Sequence, residues 1–211
     1  MSDKSNKYGY VGVDIPAQSF GNNKGVFNPA EINDLVANNQ WTTFGQLELI
    51  ETQTSTNGTS AFNFLNLGSY NVHFVTFTNC KATSAETNMA LRFSNNGGTS
   101  WIATGYQFAY WFGRNVNPLE QKSTNSAFLG YAGQITSSTV CGGYFYVYNL
   151  LDSSKYSFAS YQSEATSNTT QYSFGSGVLP TAETHNALQV TMNTDSLVAG
   201  AVVSLYGIRY S

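Results

Sequence analysis

At 211 residues the chain is long enough for one domain with an appendage or for two small domains, and charged residues make up only 10% of it, against ~25% in a typical soluble protein. Aromatics reach 15%, with 14 Tyr and 14 Phe, and Ser, Thr and Asn supply about a third of the residues. Collagen and coiled coil are excluded by the lack of a period and disorder by the aromatic content. A nucleic-acid surface is disfavoured by nine Lys and Arg and a net charge of −3.

The first 43 residues differ from the rest. Tyr8 to Pro16 reads as one extended segment, followed by a Gly/Asn-rich connection from Phe20 to Gly25. The one convincing helix signal comes next: Asn28 as N-cap, Pro29 at N1 and Glu31 at N3, close to a capping box. Ile32, Leu35 and Val36 give the apolar stripe, and Asn38 and Asn39 can close the C-terminus, so a helix is expected near 29–38. Three apolar positions cannot stabilise a helix alone, so this segment is expected to dock on something. Fully extended, an arm of this length reaches on the order of 100 Å. Residues 1–43 are therefore read as an anchoring arm, with Tyr8, Tyr10, Val11, Ile15, Phe20, Ile32 and Leu35 as its buried contacts, and residues 44–211 as the folded domain.

From Gln46 onward the period is two. Tyr70, Val72 and Phe74 share one strand face, and His73, Val75 and Phe77 the other. Met89, Leu91 and Phe93 alternate with Ala90 and Arg92 before a turn at Asn95–Gly98. Tyr106, Phe108, Tyr110 and Phe112 alternate with Gln107, Ala109 and Trp111; Tyr144, Tyr146 and Tyr148 oppose Phe145 and Val147; Val202 to Tyr210 alternates again. About eight to ten strands with Ser/Thr/Asn/Gly-rich loops predict an all-β, jelly-roll-like antiparallel β-sandwich. Strands 106–112 and 143–148 are apolar on both faces, which predicts that another subunit or the arm covers part of the outer surface. Tyr hydroxyls reaching solvent would account for the same pattern.

No run approaches the ~18 apolar residues of a membrane span, and the N-terminus lacks a signal-peptide core, so a soluble product without membrane insertion is expected. Cys80 and Cys141 lie in strand-like runs and are read as reduced core residues. Asn57–Thr59 and Asn168–Thr170 match the glycosylation pattern and are read as loop chemistry.

Catalytic signals are sparse. Two histidines, His73 and His185, are far apart in sequence and read as structural. The glycines around Ser176 touch it directly, unlike the spaced glycines of a nucleophile elbow. No zinc, EF-hand or phosphate-loop spacing occurs, leaving loop oxygens at Asn193–Asp195 as a minor calcium alternative. No enzyme and no cofactor are expected; a glycan depolymerase, which needs two paired carboxylates, is the remaining catalytic alternative. Sugars dock on aromatic faces flanked by amides and hydroxyls. Trp101, Tyr106, Tyr110, Trp111 and Arg114 are the candidate glycan-binding set, with core or subunit-interface packing as the competing reading.

Four segments carry a resemblance: Gly25–Glu31 running to Trp41; Gln46–Glu51 followed by Tyr70–Phe74; Asp152–Ser157 with its SSKY run; and Ala199–Ile208, similar to an SGxISLYGI ending but starting with Ala199 and carrying one extra residue before Ser204. In these the chain resembles small jelly-roll virion proteins of tailed bacteriophages, of the marine and cyanobacterial type. The resemblance implies a structural subunit of the virion, made in the bacterial host cytoplasm: a tail fibre, knob or capsid decoration. It implies self-assembly, with a homotrimer expected, contact with other virion proteins through the arm, and no catalytic residue. A glycan-binding adhesin that meets the host surface is the alternative role.

Overall fold

Alternating inward and outward side chains build twelve strands among the described residues of the computed structural model, which are 29–38, 47–113, 118–166 and 170–208. The strands are β1 (Leu47–Thr54), β2 (Ala61–Phe64), β3 (Val72–Cys80), β4 (Thr87–Ser94), β5 (Tyr106–Gly113) and β6 (Leu119–Ser126). They continue with β7 (Leu129–Ile135), β8 (Val140–Tyr148), β9 (Ser157–Thr166), β10 (Thr170–Leu179), β11 (Ala187–Met192) and β12 (Val202–Ile208). All pair antiparallel, in an eight-stranded sheet ordered β1-β12-β3-β8-β9-β10-β5-β6 and a four-stranded sheet ordered β2-β11-β4-β7.

Set aside β5, β6, β9 and β10, and the remaining eight strands pair first with last (β1 with β12), second with seventh (β2 with β11), third with sixth (β3 with β8) and fourth with fifth (β4 with β7). That is a long hairpin rolled around a barrel, the jelly roll. The two extra strand pairs, β5–β6 and β9–β10, both join the same sheet beyond β8. Twelve strands exceed the expected eight to ten for a physical reason. β2 is too short to show a period, and β6 (LEQKSTNS) is an exposed edge with no apolar alternation.

The core lies between the sheets. Phe77, Phe145, Val147 and Leu205 of the large sheet meet Phe62, Phe64, Met89, Leu91, Phe93, Leu129, Leu188 and Val190 of the small one, all at 2% exposure or less. β7 crosses β8, β9, β10 and β5. It approaches closely because β10 turns small residues inward: a Cβ on Gly177 would lie 3.0 Å from Leu129 of β7, while Gly175 leaves room for the Tyr161 ring of β9, whose hydroxyl would lie 2.7 Å from a Cβ there. Three side chains of the large sheet also accept backbone N–H groups of the small sheet across the core. Tyr106 Oη accepts from Phe93 N (2.7 Å), Tyr161 Oη from Tyr131 N (3.2 Å) and Ser173 Oγ from Gly133 N (3.1 Å). These bonds matter because β7 pairs irregularly with β4, with shifts on both sides of Met89. Without the last two, the N–H groups of Tyr131 and Gly133 in β7 would lack a partner.

Tyr70 departs from its expected face. β3 begins at Val72, and the Tyr70 ring stands edge-on to His73 (6.1 Å, 85°) in the space left by the missing Cβ of Gly207. Cys80 and Cys141 are free, buried and in register across β3 and β8.

The chain divides into two compact units, residues 1–46 with Ser211 and residues 47–210. In the first, α1 (Pro29–Ala37) falls where its caps predict. Asn38 closes it, with backbone N–H (3.1 Å) and Nδ2 (2.8 Å) both donating to Asp34 O. Leu35 is buried and Ile32 half-buried. Tyr8, Tyr10, Val11, Ile15 and Phe20 lie outside the described residues.

Candidate functional site

The outward side of the eight-stranded sheet carries the aromatics that strand alternation keeps out of the core. Register sets Trp111, Phe174, Gln162, Tyr144 and Thr76 in one row across five strands. A second row runs Ala109, Ser176, Ser160, Tyr146, Phe74, Tyr206 and Leu49, and a third Gln107, Val178, Phe158, Tyr148, Val72, Ile208 and Leu47. Phe74 sits at the centre of one cluster, 4.7 Å from Tyr146, 5.7 Å from Tyr144 and 6.2 Å from Tyr206. Tyr172 and Phe174 stack almost parallel, at 3°. Ten large apolar side chains are exposed among the described residues. Seven of them belong to this face: Leu47, Leu49, Trp111, Val140, Phe158, Tyr172 and Phe174. Their exposures run from 37% to 59% of side chains that present ~150–250 Å² when free, so together they offer roughly 600 Å². Spread across the face from β1 to β5, that sum approaches the ~800 Å² each partner gives a standard interface.

Between the Phe158 and Trp111–Phe174 rows the small residues Ala109, Ser160 and Ser176 form the floor of a groove of about 820 Å³, with Lys122, Ser123 and Thr124 at its β6 end.

The five glycan candidates do not converge. Trp111 points outward into the band described above, at 37% exposure. Tyr110 is on the opposite face of β5, half-buried, its hydroxyl donating to Gln121 Oε1 at 2.6 Å. Trp101 lies in the β4–β5 connection near Gly98, half-buried. Tyr106 is a correction: it has no exposed surface, and its hydroxyl is spent on Phe93 N, so it packs the core and cannot stack on a ligand. Arg114 lies outside the described residues. Sequence reasoning missed Phe158, Tyr172 and Phe174. Their signal was an inverted strand: β10 turns Ser173, Gly175 and Gly177 inward and Tyr172 and Phe174 outward.

Tyr110 instead lines a cavity of about 330 Å³ where the inner faces of β5 and β6 extend past β7. Glu86, Asn88, Gln121, Tyr131 and Gln134 also line it. The Tyr110 and Tyr131 rings stand 6.2 Å apart at 70°. Burial first, then the neighbouring Tyr131 and Glu86, pushes the Tyr110 phenol up to about 12, so it remains a donor at neutral pH.

One arrangement has the members of a hydrolytic triad. Ser157 Oγ is 2.8 Å from His185 Nδ1, and His185 Nε2 is 3.3 Å from Glu183 Oε1. The order is reversed from a working triad, in which the nucleophile meets Nε2. Ser157 and His185 are also fully buried, with the ring 5.2 Å from Phe93, so no substrate reaches the hydroxyl in this conformation. Burial lowers the His185 pKa against the opposing pull of Glu183. The group ties the loop before β11 to β9. His73 is buried likewise, with Nε2 2.8 Å from Leu67 O.

The calcium alternative at Asn193–Asp195 is filled by donors. Asp195 accepts from Ser84 N (2.9 Å), Ala85 N (2.7 Å) and Thr83 Oγ1 (2.8 Å), and Asn193 Oδ1 from Asn88 N (2.8 Å) and Thr87 Oγ1 (3.0 Å). Oxygens facing N–H and O–H groups clasp the loop between β3 and β4 and present no cage to a cation. Among the described residues no group of three or more His, Cys, Asp or Glu is arranged to hold a metal. Comparison with protein-family models, with curated proteins and with solved structures finds no match to this chain.

Proposed function

We propose that this chain is a self-associating structural subunit of a phage particle, a tail fibre, knob or capsid decoration. Its sandwich packs against copies of itself through the outer face of the eight-stranded sheet, and residues 1–43 hold it to neighbouring virion proteins. The observation that carries the self-association is the aromatic band, with seven exposed apolar side chains on one face of a chain otherwise poor in charge. Exposed apolar surface of this extent is a cost in water unless a partner covers it. The phage setting and the homotrimer come from the sequence resemblance.

Sedimentation velocity from micromolar to submillimolar concentration tests it. The full chain should sediment at three times the chain mass, and a Phe158→Ser/Phe174→Ser variant should shift to monomer while keeping its circular-dichroism spectrum. A wild-type chain that remains monomeric throughout refutes the proposal. A second reading, a glycan-binding adhesin of the same particle, is favoured by the cavity beside Tyr110 and Tyr131.

A further inference from the structure

The cavity where β5 and β6 overhang β7 is polar, unlike the outer face, and its chemistry is specific enough to name a ligand class. Four side-chain amides line it: Asn88, Gln121, Gln134 and Asn193. Each amide both donates and accepts, which is what a sugar hydroxyl also does. Asn193 Oδ1 is committed to Asn88 N and Thr87 Oγ1, and Gln121 Oε1 accepts from Tyr110. Among the described residues the side-chain amides of Asn88 and Gln134 and the hydroxyl of Tyr131 have no hydrogen-bond partner, which leaves them the groups to face a ligand. Tyr110 and Tyr131, at 70° to each other, make an apolar corner that suits the C–H face of a pyranose. No Lys, Arg or His is among the described residues that line the cavity, and Glu86 is its one carboxylate. From the described lining residues alone, phosphate, sulfate and carboxylate ligands would meet one repelling charge and no counter-charge. A volume of about 330 Å³ is at the small end of ligand sites, which span ~300–1,000 Å³, and suits one or two sugar rings.

From this we infer that the cavity bounded by Glu86, Asn88, Tyr110, Gln121, Tyr131 and Gln134 binds a neutral glycosyl unit, a hexose or N-acetylhexosamine, and rejects acidic sugars. The inference rests on the adhesin reading and is independent of self-association, because the cavity opens between the sheets and not on the outer face.

Saturation-transfer NMR on the full chain tests it with the methyl glycosides of glucose, galactose and N-acetylglucosamine, and with methyl glucuronide and the methyl glycoside of sialic acid as acidic probes. At least one neutral glycoside should receive transfer and the acidic ones should not. Gln134→Ala and Gln121→Ala should each weaken binding about five- to tenfold, the loss of one hydrogen bond. Both change half-buried or exposed side chains, so the melting temperature serves as a check on folding. Glu86→Gln should admit the glucuronide. Transfer to no neutral sugar overturns the inference, as does acidic binding equal to neutral. Transfer unchanged in both Gln variants but lost in Trp111→Ala overturns this site while leaving the adhesin reading intact.

Discussion

Replacing Tyr106 by Phe removes a single oxygen from the centre of the sandwich. The ring, packed edge-on against Phe93 at 5.7 Å and 74°, keeps its place, so no large cavity opens. What is lost is the acceptor for Phe93 N–H, 2.7 Å away, in a site with no exposed surface. A buried donor left without a partner costs ~1–3 kcal/mol, and Phe recovers part of that because the hydroxyl no longer has to be desolvated. The net loss should be about 1–2 kcal/mol, a large share of the ~5–15 kcal/mol that holds a domain together. Tyr161→Phe removes the equivalent bond to Tyr131 N, which is longer at 3.2 Å, and should cost less. Urea unfolding followed by Trp fluorescence at fixed protein concentration measures both, and an unchanged m value shows that the midpoint shift is stability. A change below ~0.5 kcal/mol for Tyr106→Phe, or a larger loss for Tyr161→Phe, would refute the idea that hydroxyls of the large sheet satisfy the backbone of the small one. Sugar binding should be unaffected by Tyr106→Phe, since the side chain lies in the core.

Gly175→Ala and Gly177→Ala should each destabilise by ~1–3 kcal/mol through overpacking, because the new methyl groups meet Tyr110 and Tyr161, or Leu129, and neighbouring backbone oxygens; urea midpoints measure this, and an unchanged midpoint for Gly177→Ala would contradict the close seating of β7. Asp195 is held below the usual carboxylate range by N–H donation from Ser84, then from Ser196 and Ala85, with the Thr83 hydroxyl adding to it. Its stabilisation is therefore complete above the unfolded pKa of ~3.9 and is lost as pH falls through the lower folded value, so the denaturation midpoints of wild type and Asp195→Asn should differ most near pH 7 and converge in acid. Burial lowers the pKa of His73 and His185, so the unfolded chain takes up protons first. Stability should start to fall as pH drops below ~6.5, and a flat profile between pH 7 and 5 would contradict the buried neutral rings. Burial also pushes the Cys141 thiol up to about 12, and Cys80 further, so a thiol reagent should label either one only at the rate of unfolding.

Strands with strong alternation were readable from the chain alone. Tyr106 to Phe112 and Tyr144 to Tyr148 show the two phases that the structure places inward and outward, and the caps at Pro29 and Asn38 bracket the helix found there. Direction was harder to read than period. Period two says that Tyr106 and Trp111 lie on opposite faces, yet it does not say which face is the core, and a glycan set drawn from both phases of β5 could not converge. β10 shows why hydrophobicity alone misleads: its inward positions hold Ser and Gly because β7 and Tyr161 need the room, which leaves Tyr172 and Phe174 facing outward. Pairing partners such as Ser157 and His185, or Asp195 and Ser84, depend on chain crossings that no local pattern records.

The two inserted strand pairs account for both the outer aromatic face and the polar cavity. A plain jelly roll sets four strands against four, each sheet covering the inner face of the other. Here β9–β10 and β5–β6 widen one sheet to eight while the other stays at four. The inner faces of β9, β10 and β5 then have β7 as their main cover, and this strand must sit close, which is why Gly175, Gly177, Ser163 and Ser173 replace apolar side chains there. Toward β6 this cover is incomplete, and the gap is the polar cavity with Tyr110 and Gln121 on one side and Tyr131 and Gln134 of β7 on the other. On the other side the same widening doubles the outer surface, and the aromatics displaced from the inward phase of β10 accumulate there beside those of β8. A variant that deletes the β5–β6 pair should therefore remove the sugar cavity, yet keep the outer face from β1 to β10, with Phe158, Tyr172 and Phe174, and with it self-association. Loss of both together, in a chain that still folds, would show that the two surfaces are one site.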